Sequence, residues 1–360
     1  MATKIKVVLF EDTVETQAKV LKALTKHLKP HGLVIPFQAR RLTETPSDRE
    51  RTYEARLTDI LTRPPYHGAT LIVADQNLAK SPTFLGLSVG AVAAVSKTLA
   101  IPLCEYACLP VAEDYEWRRQ WEKGRIALRF RGEDDIGRRA ALAARGFAKI
   151  AAQLPRFMPD SADVSPGMVL AALLGKPEYS GKITLYGVGE ERLSEVPAKA
   201  RQAAQQVRRM THFLGYWLWD SLLRYPGLLV NQVAAASYLN IETAGFGKPT
   251  VQEVFKKALY RGPFADTERP QWWRGMLDDI VSGEDCADGL ELVRKKVRSR
   301  IERSRCCVDP SKRAGYYCII SRQPVSLENS KGGLSWFPRG ADLTRISNPM
   351  LEEYVPWLGA

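Results

Sequence analysis

The feature that most constrains the fold is an alternation of short apolar runs with amphipathic segments over the first 154 residues. The apolar runs IKVVLF, GLVIPF, LIVAD, IPLCEYA and RIALRF are each followed by a segment that can form a helix. After the first run, for example, Val14, Ala18 and Leu21 recur at helical spacing. Strands separated by helices are typical of a parallel sheet with crossover helices. We therefore predict an N-terminal α/β domain with a doubly wound parallel sheet.

The chain changes character after this domain. With 360 residues it is too long for one small core. The stretch PRFMPDSADVSPG, residues 155–167, is rich in Pro, Asp and Ser and indicates a boundary. We predict three parts: the α/β domain at 1–154, a mainly helical domain at 155–305, and a small irregular β tail at 306–360 packed on the helical domain. One isolated strand is predicted at 182–188.

Acidic residues end two of the predicted strands. Glu11 and Asp12 follow the first apolar run, and Asp75 ends LIVAD. The carboxyl ends of parallel strands meet in the crevice where such sheets bind ligands. Carboxylate oxygens are ligands for Mg²⁺, so the three residues are a candidate Mg²⁺ site. The alternative is that they are helix caps and surface residues of a generic α/β domain.

The segment VVLFEDTVETQAKVLKAL followed by LIVADQNLA resembles the receiver domain of two-component response regulators, over roughly residues 4–130. The resemblance implies that Glu11 and Asp12 form the acidic pair, that Asp75 is the phosphoacceptor, and that the cluster holds Mg²⁺. Ala107 stands where the family has Ser or Thr, and the family's Lys after the fifth strand has no clear match, Arg129 being the nearest basic residue. The second crossover is also longer than usual. These departures favour a degenerate receiver that does not switch.

The positive charge is concentrated in the C-terminal two thirds of the chain. Residues 1–115 hold 14 Lys/Arg and 12 Asp/Glu, a net of +2, which leaves +10 of the total +12 for the remainder. Such a surplus favours a polyanionic partner. The segment GLELVRKKVRSRIERSR is predicted to be one helix with an apolar stripe at Val293, Val297 and Ile301. Its candidate contacts to DNA, RNA or an acidic protein are Arg294, Lys295, Lys296, Arg298, Arg300 and Arg305.

The alternative for this segment is the solvated face of a packed helix. The sequence shows no helix-turn-helix or zinc-finger signature, so it does not predict sequence-specific reading of DNA. Tryptophans occur in two close pairs, and one member of each pair is expected to be exposed and to anchor a partner, because Trp is enriched at interface hot spots. The candidates are Trp217, Trp272 and Trp273.

Six cysteines in a chain of this length do not form a disulfide framework, so we expect a reducing cytoplasm. Cys306, Cys307 and Cys318 form a group, but they lack the paired C-x-x-C spacing of zinc sites. The four histidines are far away in sequence, and a metal ion at these cysteines would need a fourth ligand. Sequence alone therefore does not favour a metal site there.

The sequence lacks a phosphate-binding P-loop, the zinc-protease motif, the nucleophile elbow and the dinucleotide fingerprint. We also expect no signal peptide and no membrane span.

The sequence favours a non-enzymatic regulatory or adaptor subunit of a prokaryotic multi-protein system, such as phage defence, with a receiver-like domain that docks a protein partner. Mg²⁺ is the one candidate cofactor. The alternative is a Mg²⁺-dependent phosphoryl or phosphodiester enzyme, or a phospho-accepting regulator, that uses Glu11, Asp12 and Asp75.

Overall fold

The computed structural model describes residues 5–42, 52–78, 84, 86–107, 126–129, 132–157, 165–187, 203–297 and 300–358. The chain divides into two compact units, residues 1–158 with 196–216, and residues 159–195 with 217–360. The division between residues 158 and 159 lies inside the predicted boundary segment, 155–167. The predicted helical region and the predicted tail largely belong to the second unit, but residues 196–216 belong to the first. The charged helix expected at 113–123 lies outside the described residues.

The first unit is built on a five-stranded parallel sheet, as the alternation of segments predicts. Its strands are β1 (Ile5–Phe10), β2 (Gly32–Pro36), β3 (Leu71–Asp75), β4 (Leu103–Ala107) and β5 (Ile126–Arg129), in the order β2-β1-β3-β4-β5. The helices of this part are α1 (Val14–Leu28), α2 (Tyr53–Leu61), α3 (Val89–Leu99) and α4 (Glu133–Gln153). The α/β class of the N-terminal region is confirmed.

Helices cover both faces of this sheet. Alternate strand residues such as Phe10 and Ile72 share one core with Leu57 of α2 and Val92 of α3. On the other face α4 packs against α1 and against the strands. Because side chains on both faces of the central strands β1, β3 and β4 are buried, these strands are mostly apolar rather than alternating.

The strand order places a topological switch point between β1 and β3. The chain passes from β1 outward to β2 on one side and then returns to β3 on the other side. In doubly wound sheets, ligands bind at this point, outside the carboxyl ends of the strands. The register aligns Phe10 with Ala74 and Asp75 with Tyr106. The residues that follow β1 and those that end β3 and β4 therefore lie together at one edge.

The second unit contains short helices and two small sheets. Strands β6 (Leu229–Asn231) and β7 (Gln271–Trp273) pair antiparallel, and β8 (Tyr316–Cys318), β9 (Pro324–Val325), β10 (Ser330–Lys331) and β11 (Thr344–Ser347) form a sheet in the order β10-β11-β8-β9. The remaining α-helices among the described residues are α5 (Pro166–Leu173), α6 (Ser180–Thr184), α7 (Ala203–Trp217), α8 (Gln232–Tyr238), α9 (Thr243–Phe246), α10 (Pro249–Val254), α11 (Arg274–Ser282), α12 (Gly289–Val297) and α13 (Asn348–Leu358). Helix α7 lies almost wholly in the first unit.

The prediction of a strand at 182–188 is wrong, because residues 182–184 belong to helix α6. Ile183 and Tyr186 are both buried while Leu185 is 49% exposed. Two buried residues three positions apart have the spacing of a helical turn. A short run of β-branched and aromatic residues does not show from its sequence whether it forms a helix or a strand. The tail also differs from the prediction, since it carries its β strands but ends in the helix α13.

Within the described part of the chain, no helix combines the length and the apolar character that crossing a bilayer requires.

Candidate metal centre

Three carboxylates converge at the switch point of the parallel sheet. Glu11 and Asp12 directly follow β1, and Asp75 is the last residue of β3. One carboxylate oxygen of each residue lies within 4.8 Å of the other two. In the part of the chain that the structure describes, this is the one such group of three acidic, cysteine or histidine side chains. The sequence-predicted cluster is therefore assembled by the fold.

Glu11 is held in place by hydrogen bonds on both of its oxygens. Its Oε1 accepts the backbone N–H of Thr13 at 2.9 Å, and its Oε2 accepts the hydroxyl of Tyr106 at 2.5 Å. The side chain of Gln17 donates to the Glu11 backbone carbonyl at 3.0 Å. The Thr13 hydroxyl donates to Asp12 Oδ1 at 3.3 Å. The loop after β1 is thus fixed from β4 and from the first turns of α1.

The pKa of the Glu11 carboxyl is raised above its ordinary value, first because the group is buried. The hydrogen bonds from Tyr106 and Thr13 lower it, while the negative charges of Asp75 and Asp12 raise it further. Glu11 is 3% exposed and Asp12 is 9% exposed, so water screens their charges poorly. The centre is therefore a site of concentrated negative charge that a cation would relieve.

The donor set fits a hard divalent cation. Ligand oxygens about 2.0–2.1 Å from an octahedral Mg²⁺ lie roughly 3–4 Å from one another. Oxygens already within 4.8 Å need only small side-chain adjustments to meet that requirement. Glu11, Asp12 and Asp75 would hold the ion, which would leave further positions for water or for a phosphate oxygen. A bound Mg²⁺ would supply neutralisation of negative charge at this edge.

The two positions where the sequence departs from the receiver pattern also lie at this edge. Ala107 is buried at the end of β4, next to Tyr106, and it pairs with Arg129 of β5. A methyl group therefore occupies the end of β4, where a hydroxyl could bind an anion. The backbone of Arg129 ends β5 beside Ala107, and its side chain lies outside the described residues.

Comparisons with protein-family models, with curated proteins and with solved structures found no match to this chain.

Sequence reasoning missed the role of Tyr106. Its hydroxyl is the donor to Glu11, and its backbone carbonyl accepts the N–H of Gln76, the residue after Asp75. Tyr106 thus connects the ends of β1 and β3. The available signal was an aromatic residue with a polar tip one position before the end of a buried strand, where a buried hydroxyl needs a partner.

The predicted basic helix is shorter than expected. Helix α12 ends at Val297, and Ile301 beyond it is buried near Gly245 rather than continuing the stripe on the helix. The Arg294 guanidinium donates to the Ile301 carbonyl at 2.9 Å, which gives this backbone oxygen a hydrogen-bond partner. Burial of Ile301 therefore outweighs the helical periodicity of the sequence.

The described members of the predicted basic set all make contacts within the chain. Lys295 donates to the Glu284 carbonyl, Lys296 pairs with the Glu284 carboxylate at 2.6 Å, and Arg300 pairs with Glu302 at 3.1 Å. Arg305 donates to the Pro310 carbonyl. Their side chains remain exposed, so the set stays accessible to an anionic partner. Arg298 lies outside the described residues.

The tryptophans predicted as interface anchors are core residues. Trp217 and Trp273 are each 5% exposed and Trp272 is 1% exposed. Trp272 packs edge-on against Phe246 at 5.0 Å between ring centroids, and Trp273 packs on Tyr260 at 5.7 Å. The prediction that these residues face a partner is wrong. Both members of the second pair reach the core because the chain turns from β7 directly into α11.

Proposed function

We propose that the chain is a non-enzymatic regulatory or adaptor protein whose receiver-like N-terminal unit binds a divalent cation, Mg²⁺, and docks a protein partner. The observation that carries the proposal is the convergence of Glu11, Asp12 and Asp75 at the switch point, beside a buried alanine at the end of β4. The carboxylates provide the cation site, and Ala107 removes the hydroxyl with which a receiver binds its phosphoryl group.

The surroundings of the site support docking rather than turnover. Val14, the first residue of α1, is 82% exposed two positions after Asp12. A protein partner could bury this apolar side chain at the rim of the charged site. That burial would add to the electrostatic attraction between the partner and the site. The exposed basic side chains of the second unit supply a further surface for an anionic partner. The multi-protein prokaryotic setting, including phage defence, is part of the same proposal.

A second candidate function is a response regulator that accepts a phosphoryl group on Asp75. It is favoured by the position of Asp75 at the end of β3, within 4.8 Å of the other two carboxylates and less buried than they are. A carboxylate nucleophile requires a metal ion to neutralise the incoming phosphate, and this arrangement would permit that.

One experiment separates the two. The full chain is titrated with Mg²⁺ by calorimetry, and is then treated with a small phosphodonor, acetyl phosphate, in the presence of Mg²⁺. We expect Mg²⁺ binding that the Asp75→Asn variant loses, and no change in hydrogen exchange or oligomeric state after the phosphodonor. A phosphorylated Asp75 with an altered exchange pattern would establish the regulator instead, and absence of Mg²⁺ binding would overturn both.

A further inference from the structure

Two cysteines of the second unit each begin the turn of a β-hairpin. In the first hairpin Arg305 and Arg313 pair antiparallel, and the N–H of Cys306 donates to the Lys312 carbonyl at 3.1 Å. In the second hairpin β8 pairs with β9, and the N–H of Cys318 donates to the Gln323 carbonyl at 2.9 Å. The structure therefore presents two thiols in equivalent local settings twelve residues apart.

The two hairpins are joined directly at these cysteines. The N–H of Cys307 donates to the carbonyl of Pro324 in β9 at 2.9 Å. The N–H of Cys318 donates to the carbonyl of Gln323, the residue before Pro324, so the backbones of Cys307 and Cys318 are held beside two consecutive residues. The adjacent residues Cys306 and Cys307 thus lie in the same small region of the second unit as Cys318.

The sulfur of Cys306 faces several hydrogen-bond donors. It accepts the N–H of Val308 at 3.4 Å, and it also accepts the backbone N–H groups of Asp309 and Ser326 and the Ser326 hydroxyl. The Ser326 hydroxyl oxygen in turn accepts from Asn329, which leaves its proton free to point at the sulfur. A neutral thiol is a weak acceptor, so this set of donors suits a thiolate.

The sulfur of Cys318 also accepts from backbone donors. It accepts the N–H of Ser321 at 3.4 Å and the N–H of Ser347 at 3.3 Å, and the Cys318 thiol donates to the Ser347 hydroxyl oxygen at 3.6 Å. Cys318 and Cys306 are 0% and 1% exposed. A buried thiolate is costly unless a cation compensates its charge, because backbone dipoles carry only partial charges. Thiolates with oriented backbone donors are what structural metal sites contain.

We propose that Cys306, Cys307 and Cys318 bind a thiophilic metal ion, Zn²⁺, with a fourth position filled by water or by Asp309. Sulfur ligands select Zn²⁺ over hard cations such as Mg²⁺, which distinguishes this site from the acidic one. The three sulfurs do not all lie within 4.8 Å of one another, so the exposed Cys307 side chain rotates inward when the ion binds.

This geometry also explains why spacing alone did not indicate a site. A zinc ribbon places a second cysteine three residues after the first in each turn. Here those positions hold Asp309 and Ser321, although their backbone N–H groups still point at the sulfurs. Asp309 Oδ1 accepts from the N–H and the hydroxyl of Ser311, so in the structure its carboxylate is directed to its own turn. Cys307 supplies the third sulfur instead.

The test is metal analysis of the full chain, purified under reducing conditions after exposure to Zn²⁺ and removal of free metal. We expect close to one zinc ion per chain. Replacement by Co²⁺ should produce a thiolate-to-cobalt charge-transfer band. Cys307→Ser, which changes an exposed side chain, should keep the fold and weaken zinc affinity by more than the roughly 10–100-fold typical of outer-shell changes.

Two controls make the result specific. Cys286→Ser alters a cysteine of the same unit whose thiol donates to the Glu284 carbonyl, and it should retain zinc. Asp75→Asn should also retain zinc, because the acidic centre is a separate site. A metal-free chain without the cobalt band would overturn the proposal, as would a disulfide among the three cysteines or an equal loss of zinc in Cys286→Ser.

Discussion

At the residue scale, Glu11 shows how the acidic centre links charge to stability. Its pKa is raised in the folded chain, chiefly by burial, above a reference value of 4.5. Glu11 therefore contributes most to stability below pH 4.5, where it is protonated in the folded and the unfolded chain. This contribution is lost as the pH rises through the raised pKa of the folded chain. In the absence of a cation, ionisation of Glu11 therefore lowers the stability of the first unit at neutral pH.

Removing one charge from the centre should relieve this penalty. We expect Asp75→Asn to raise the free energy of unfolding at neutral pH in EDTA by on the order of 1 kcal/mol, because it deletes a like charge near Glu11. The same change should abolish stabilisation by Mg²⁺, which requires the full donor set. Urea unfolding with EDTA and with Mg²⁺ measures both effects.

The matched control is Glu15→Gln on α1. The Glu15 carboxylate is exposed and pairs with Lys19 at 2.7 Å, so the variant changes net charge equally but lies outside the centre. It should keep the Mg²⁺ response. Persistence of that response in Asp75→Asn would remove Asp75 from the cation site.

The Tyr106 hydroxyl should tune the same centre. Tyr106→Phe removes the donor to Glu11 Oε2, so the pKa of Glu11 should rise further and unfolding free energy at neutral pH should fall by about 1–3 kcal/mol. Carbon-13 NMR of the Glu11 side-chain carboxyl across pH reports the pKa directly. Tyr316→Phe in the second unit is the hydroxyl-deletion control, and an unchanged Glu11 titration in Tyr106→Phe would contradict the assigned hydrogen bond.

At the scale of elements, the packing of α4 on α1 depends on one glycine. A Cβ at Gly137 would lie 2.6 Å from the Cβ of Ala23 and 2.9 Å from the backbone N of Leu24. Backbone atoms cannot yield as a flexible side chain can, so any larger residue would separate the two helices. Helix α1 begins just after the acidic pair, and this packing therefore helps to place the site.

Gly137→Ala should consequently destabilise the chain although alanine is the better helix former. We expect a decrease of about 1–3 kcal/mol in the free energy of unfolding from overpacking. Gly181→Ala in α6 is the control, because nothing lies within 4 Å of a Cβ there. Urea denaturation should show it neutral or slightly stabilised. A neutral result for Gly137→Ala would mean that α4 can shift without a cost in stability.

The elements that sequence patterns identified correctly share a physical property. The strands β1, β3 and β4 are mostly apolar runs, and an apolar run of this length indicates burial on both faces without information about the segments that pack on it. By contrast, the end of α12 at Val297 depends on the burial of Ile301, which packs beyond the helix itself. Local periodicity cannot report such packing.

At the scale of the whole molecule, the described basic side chains of the predicted set lie at the surface of the second unit, although that unit holds 23 Lys/Arg and 23 Asp/Glu in all. Lys295 and Arg300 are exposed, and their contacts to Glu284 and Glu302 are surface interactions of small energy. An anionic polymer could therefore displace these interactions. The charge can act in binding without changing the fold.

Charge reversal tests whether Lys295 and Arg300 bind an anionic polymer. We expect Lys295→Glu with Arg300→Glu to weaken binding of labelled duplex DNA or RNA and to reduce the slope of log affinity against log salt by about 0.9 for each phosphate that the protein no longer neutralises. Fluorescence anisotropy over a salt series measures the slope. The matched double variant is Lys248→Glu with Lys257→Glu, at exposed lysines of the same unit. An equal slope change in both variants would show that charge, rather than this surface, governs binding.

The sequence by itself determined the parallel α/β sheet, the places of Glu11, Asp12 and Asp75 at strand ends, and the net positive charge of residues 116–360. These follow from apolar runs and charge counts, which are local or additive properties. Only the tertiary structure decided that Tyr106 binds Glu11, that Trp272 and Trp273 are buried, and that Cys306 and Cys318 occupy equivalent turns. Each of these depends on contacts between segments distant along the chain, and such contacts arise only when the packed core fixes which residues meet.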